Sequence, residues 1–263
     1  MIHRYQLNPA MEAYYNDAAA QRNAERALSA GNPSLGPKLD ALFDKYSALA
    51  AANPDKDIWS IDATIAWCEA LDISPEDPIM LAVADLCGAT EMGTFERKAW
   101  VNGWKKVKVD SITGQRTYIT STLKSNLSSQ PAYFRKVYNF TFDYARDKSQ
   151  RGLPLEVAAP MWMLLVPMAP KEMFEDDSAW CSARDKAKAE SWLQRWCDFL
   201  GDEKGNKGRP ISKDVWSQFL DFACQMDEDL DSHDPGEGFI SAVNLVLMAI
   251  FDQSQRTTLG LQL

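Results

Sequence analysis

AYFRKVYNFTFDYARDKSQRGLPLEVAAPMWMLL, Ala132 to Leu165, is the stretch that decides the fold. Tyr133, Phe134, Val137, Tyr138, Phe140, Phe142 and Tyr144 leave only a narrow polar stripe of Lys136, Asn139, Asp143 and Asp147. A helix that is apolar round most of its circumference is buried on several sides. Gly152 then breaks the pattern, Pro154 suits a first helical turn, and Val157 to Leu165 forms a second apolar run. Two helices joined by a short polar turn must pack on each other, so the stretch predicts a helical hairpin at the centre of an all-α core.

The flanking chain carries the same period. Leu39, Leu42, Phe43, Tyr46 and Leu49 recur at helical spacing. Ser60 to Leu71 opens on a Ser N-cap with Asp62 in its first turn. Asp77 to Leu86 has Pro78 at its start and an apolar face of Met80, Leu81, Val83 and Ala84. GATEMGTFERKAWVNGW follows, with Thr94 as a cap and a helix bearing Phe95, Trp100 and Trp104. Helix, turn, helix is the outline of an EF-hand, but ATEMGTFE has no Asp ladder for calcium. Asp110 to Leu127 reads as a further helix, with Ile112, Tyr118, Ile119 and Leu123 turned inward. A long helix over Ala179 to Leu200 and an amphipathic one over Ile211 to Met226 complete the pattern. In the latter, Ser212 caps and Asp214 lies in the first turn. Trp216, Phe219, Leu220, Ala223 and Met226 form one face, and Asp214, Gln218, Asp221, Gln225 and Glu228 the other. Asp227 to Gly238 places acids at calcium-loop positions one, three and five. Ser232 replaces the turning Gly and Gly238 the bidentate Glu, so it reads as an acidic solvated loop.

Composition narrows the function. The 263 residues are 46% hydrophobic and 25% charged, as in ordinary globular proteins. A net charge of −9 argues against a nucleic-acid binder and suits a partner with a basic surface. The five cysteines form no CxxC, which suits reduced thiols in cytosol or nucleus. Two histidines poorly supply zinc sites, Ser-His-Asp triads or Cys-His pairs, and no glycine loop cradles phosphate. No catalytic residue, metal ligand or cofactor is therefore expected. Nothing at the N-terminus reads as a signal peptide.

The order of residues goes further than their period. VYNFTFDYA, a basic turn ending in QRGL, and LEVAAPMWMLL resemble the central hairpin of the defective-in-cullin-neddylation family, whose core is the DCUN1 (PONY) domain. Met92-Gly93-Thr94-Phe95 resembles that family's MGEF, with Thr in place of the usual acid, and ISKDVW followed by LDF is a further specific match. The resemblance runs from Leu39 to Asp234 and implies an all-α fold of two EF-hand-like halves without calcium loops. Residues 1–17 resemble the last helix of a UBA-like domain, a truncated remnant; 18–38 reads as a linker; 39–238 is the family domain. The tail 239–263 diverges: Phe239 to Phe251 is almost wholly apolar yet short for a membrane span.

The resemblance implies a scaffold-type E3 of cullin neddylation, non-catalytic, in nucleus and cytoplasm. Its partners would be a cullin C-terminal winged-helix region, the cullin RING subunit, an N-acetylated neddylation E2 and the ubiquitin-like modifier. The pocket for the E2 N-terminal peptide would be walled by Met80, Val83, Ala84, Phe95, Tyr144, Met161 and Leu164, with Met161 where an aromatic is common. Asp214 matches the family's cullin-binding acidic patch, and Asp221 and Glu228 extend it. The patch's usual Ala and second Asp have no counterpart after Gly238, which implies weaker cullin binding. A generic helical adaptor and an EF-hand-like binding protein are the rival readings.

Overall fold

The computed structural model describes residues 34–49, 55–173, 193–194, 196–198, 200–201 and 209–225. The UBA-like remnant, most of the linker, the start of the long helix, the acidic loop with Glu228 and the apolar tail lie outside these residues. Among them the chain is all-α, as the period predicts: α1 Leu35–Ser47, α2 Ile61–Leu71, α3 Ile79–Leu86, α4 Arg97–Lys106, α5 Ile112–Thr117, α6 Lys124–Ser129, α7 Pro131–Ala145, α8 Leu155–Leu165 and α9 Lys213–Gln225. A π-helical turn, Tyr118–Leu123, joins α5 to α6. Two two-residue strands, β1 Ile58–Trp59 and β2 Phe95–Glu96, pair antiparallel with Trp59 opposite Phe95.

Local chemistry places most of these boundaries. Ser60 accepts a hydrogen bond from the Ala63 amide and opens α2. Asp77 accepts from the Ile79 amide and opens α3. Ser111 accepts from the Gly114 amide and opens α5. One expected cap is corrected. Thr94 does not open α4, because Phe95 and Glu96 are taken into the strand pair and the helix begins at Arg97.

The chain divides into two compact units. The first comprises residues up to Ser74, Leu86–Ala89 and Gly93–Tyr118. Its core is a cluster of rings about Trp59. That indole stacks on Phe43 at 4.5 Å and meets Tyr46, Trp67, Phe95 and Trp100 at 5.1–6.1 Å. Its N–H donates to the Phe43 carbonyl at 3.0 Å, so a buried donor is satisfied. Trp67 solves the same problem by donating to Gln115 Oε1 at 3.0 Å, which draws a fully buried glutamine into the core. Arg97 fastens the rim. It reaches Asp44 and Asp57 at 2.6 Å each and the Lys56 carbonyl at 2.8 Å, with its guanidinium 4.6 Å from the centre of the Phe43 ring. On α4, Gly103 lies against the chain just beyond α3: a Cβ there would stand 2.5 Å from the Leu86 oxygen. Gly103→Ala is expected to lower stability by about 1–3 kcal/mol in urea unfolding, because backbone must shift to admit the methyl.

The second unit comprises Pro75–Asp85, Thr90–Met92 and the chain from Ile119. The predicted hairpin is α7 and α8, which pack on each other and on α6 and α9. Leu153 and Ile211 exchange both backbone hydrogen bonds, at 2.7 and 2.8 Å, just before α8 and α9 begin. Loop-to-loop pairing ahead of a helix thus occurs twice among the described residues, once through β1 and β2 and once here. Gly152 is required at this crossing, since a Cβ would meet Pro210 at 2.8 Å and the Ile211 oxygen at 2.9 Å.

The core of this unit centres on one hydroxyl. Tyr138 donates to the Trp216 carbonyl at 2.7 Å and accepts from Trp162 Nε1 at 2.9 Å. Trp216 Nε1 donates back to the Tyr138 carbonyl at 3.0 Å. The three rings stack, and Phe219 and Trp196 extend the stack from Trp162. Burial pushes the Tyr138 hydroxyl pKa well above the usual phenol value. The sign follows from linkage. A phenol held neutral in the fold contributes stability that is intact below the unfolded pKa of about 10 and is lost as pH rises beyond it. Tyr138→Phe leaves the buried Trp162 N–H without its acceptor, so it should cost about 1–3 kcal/mol at neutral pH. The same variant should also show a shallower alkaline loss of stability than the wild type in unfolding titrations.

Candidate partner-binding surfaces

The seven residues of the expected peptide pocket differ in burial. Met80, Val83 and Ala84 on α3 are buried, as is Phe95, which lies edge-on to Trp59 and Trp67 in the first unit's ring cluster. Tyr144 on α7 and Met161 and Leu164 on α8 are half-buried, and Tyr144 stacks on Phe140 at 5.2 Å. Six of the seven belong to the second unit, and Phe95 belongs to the first.

Within the second unit, α3 is tied to α7 by charge. Lys136 reaches Asp85 at 2.6 Å, and the Asp85 side chain is only 9% exposed. Lys148, beyond the end of α7, reaches Glu91 at 2.9 Å. Removing the lysine from a nearly buried carboxylate leaves that charge uncompensated. Lys136→Met should therefore destabilise the protein by about 1–3 kcal/mol, and the further change Asp85→Asn should restore most of the loss in chemical denaturation.

Sequence reasoning missed an apolar surface on the first unit. Ile58, Ile61 and Ile65 are 39%, 58% and 38% exposed. Ile61 and Ile65 stand one turn apart on α2, at the edge of the face that buries Thr64, Trp67, Cys68 and Leu71. The available signal was that SIDATIAWCEAL is apolar on more than one face. In the other unit Met92 is 46% exposed. A cleft of about 470 Å³ on the first unit is lined by charged side chains, Asp40, Asp55, Asp57, Arg97, Lys98 and Lys105 among them, together with Ile58 and Val101.

The acidic surface is built on α9. Ser212 accepts from the Val215 amide at 3.2 Å, which starts the helix and places Asp214 in its first turn. Asp214 is exposed. Asp221, two turns on, is half-exposed and paired with Arg135 of α7 at 2.5 Å. Gln218 is half-buried, so the face is less uniformly solvated than the period suggests. Beside Asp214, Lys213 reaches Asp143 at 2.6 Å, and Asp143 also lies 3.6 Å from Arg146. Asp214 is thus the fully presented carboxylate of the pair that the structure describes.

The described cysteines are thiols. Cys68, Cys87 and Cys224 are buried free thiols and Cys197 is half-buried. Burial pushes the Cys68, Cys197 and Cys224 pKa values up to about 11, far from a reactive thiolate. Among the described residues no group of three or more His, Cys, Asp or Glu is placed to hold a metal ion.

Known proteins resemble the chain over most of its length. Residues 115–242 match the family model described as "Cullin binding". The match thus spans the central hairpin and α9. "Defective in cullin neddylation protein 1" of Yarrowia lipolytica is 31% identical over 77% of this chain and 73% of its own. The chain belongs to the defective-in-cullin-neddylation family. Its namesake in Pyricularia oryzae is 30% identical over 86% of this chain and 75% of its own. That of Mycosarcoma maydis is 29% identical over 88% and 81%. Family membership therefore extends over both units, while the family-model match covers the α7–α9 region that carries Asp214 and Asp221.

Proposed function

We propose that this family member is a non-catalytic scaffold in cullin neddylation, acting in nucleus and cytoplasm. It binds a cullin C-terminal winged-helix region through Asp214 on α9. It binds the N-acetylated terminus of the neddylation E2 through apolar side chains that include Tyr144, Met161 and Leu164. The cullin RING subunit and the ubiquitin-like modifier are then partners of the assembly. The observation that carries this reading is the family match, joined to an exposed carboxylate at the start of the helix within it.

The physical gain is placement. Holding the E2 thioester beside the target lysine turns a loose encounter into a nearly intramolecular one. An acetylated methionine suits an apolar pocket because a free ammonium is costly to bury.

Two binding measurements test the reading. The acetylated E2 N-terminal peptide should bind, and its unacetylated form should bind more weakly by at least about tenfold. Asp214→Arg should weaken a cullin winged-helix fragment by a similar factor, since it reverses a charge at the contact. Equal affinity of the two peptides removes the pocket, and an unchanged affinity of Asp214→Arg removes the cullin surface.

A further inference from the structure

α7 and α9 are joined by three polar pairs that step along both helices four residues at a time. Arg135 pairs with Asp221 at 2.5 Å, Ser217 donates to Asn139 at 3.3 Å, and Lys213 pairs with Asp143 at 2.6 Å. Numbers rise on α7 as they fall on α9, so the helices run antiparallel along this edge. The middle rung is neutral, and the third places its lysine beside an aspartate that also faces Arg146. The first rung has a different consequence. It consumes a carboxylate of the face on which Asp214 stands free.

Side-chain exposure is 45% for Arg135 and 42% for Asp221. A pair this open to solvent contributes little to the fold, so it can be exchanged for another at small cost. A basic partner approaching α9 meets an available Asp214, an occupied Asp221, and the positive charge of Arg135. Like charge at a docking rim slows encounter and penalises partners whose cations fall there.

We infer that Arg135 is a specificity-determining residue of the α9 face: it holds Asp221 as an intramolecular competitor of the partner's cations. It disfavours basic surfaces with diffuse charge and admits one that concentrates its charge on Asp214 or displaces the guanidinium from Asp221. This rests on the cullin reading above.

Titration of the full chain with a cullin winged-helix fragment tests it. Arg135→Gln is expected to tighten binding by about three- to tenfold at low salt, and by less at high salt. In an Asp221→Asn background the same change relieves only the repulsion by Arg135, so the double variant should bind more weakly than Arg135→Gln alone. Asp221→Asn alone, which leaves Arg135 uncompensated, should weaken binding, and it serves as the second variant should Arg135→Gln fold poorly. A purely structural rung predicts the opposite sign, a loss on removing Arg135. Equal or weaker binding of a folded Arg135→Gln, with Asp214→Arg still disruptive, overturns the inference alone. Equal binding of wild type and Asp214→Arg overturns the cullin reading and the inference with it.

Discussion

The second unit depends on a single buried phenol. Tyr138 brings together three helices with two hydrogen bonds from one oxygen, to the Trp216 carbonyl of α9 and from the Trp162 indole of α8. The second bond satisfies an indole N–H that would otherwise be stranded away from water. The rings make the same three-way contact by stacking, so polar satisfaction and apolar packing specify one arrangement. Asp214 is carried on a helix whose neighbour in sequence, Trp216, is locked into that node. The direction in which the acidic face points is therefore set from inside the core.

The first unit reaches a comparable result without a hydroxyl hub. Trp59 sits in a two-residue strand, bonds the Phe43 carbonyl of α1, and is enclosed by rings from α1, α2, β2 and α4. Strand pairing decides where α4 starts, because Phe95 must lie opposite Trp59 before the chain turns helical.

Much of this was legible in the sequence. The α7–α8 hairpin follows from apolar period, Gly152 and Pro154, and the openings of α2 and α9 follow from Ser60 and Ser212. What escaped were features set by residues far apart. Gln115 is buried because Trp67 needs an acceptor, a pairing across 48 positions that no local pattern contains. Thr94 looked like a cap because a two-residue strand has no period to reveal it. Asp221 looked free because its partner Arg135 is 86 residues away. For the pocket, the sequence could select apolar residues by family motif. It could not separate packed Val83 and Ala84 from half-open Tyr144 and Met161, since both classes have the same composition.

Arg97 has a consequence for how the protein responds to its surroundings. Two aspartates and a main-chain oxygen converge on its guanidinium, the kind of oxygen set that EF-hand proteins offer to a dissolved ion. A cation bonded into the polypeptide neither dissociates nor follows an ionic signal. This corner of the molecule thus carries its own counter-charge, and its geometry is set by the chain and not by the ions around it.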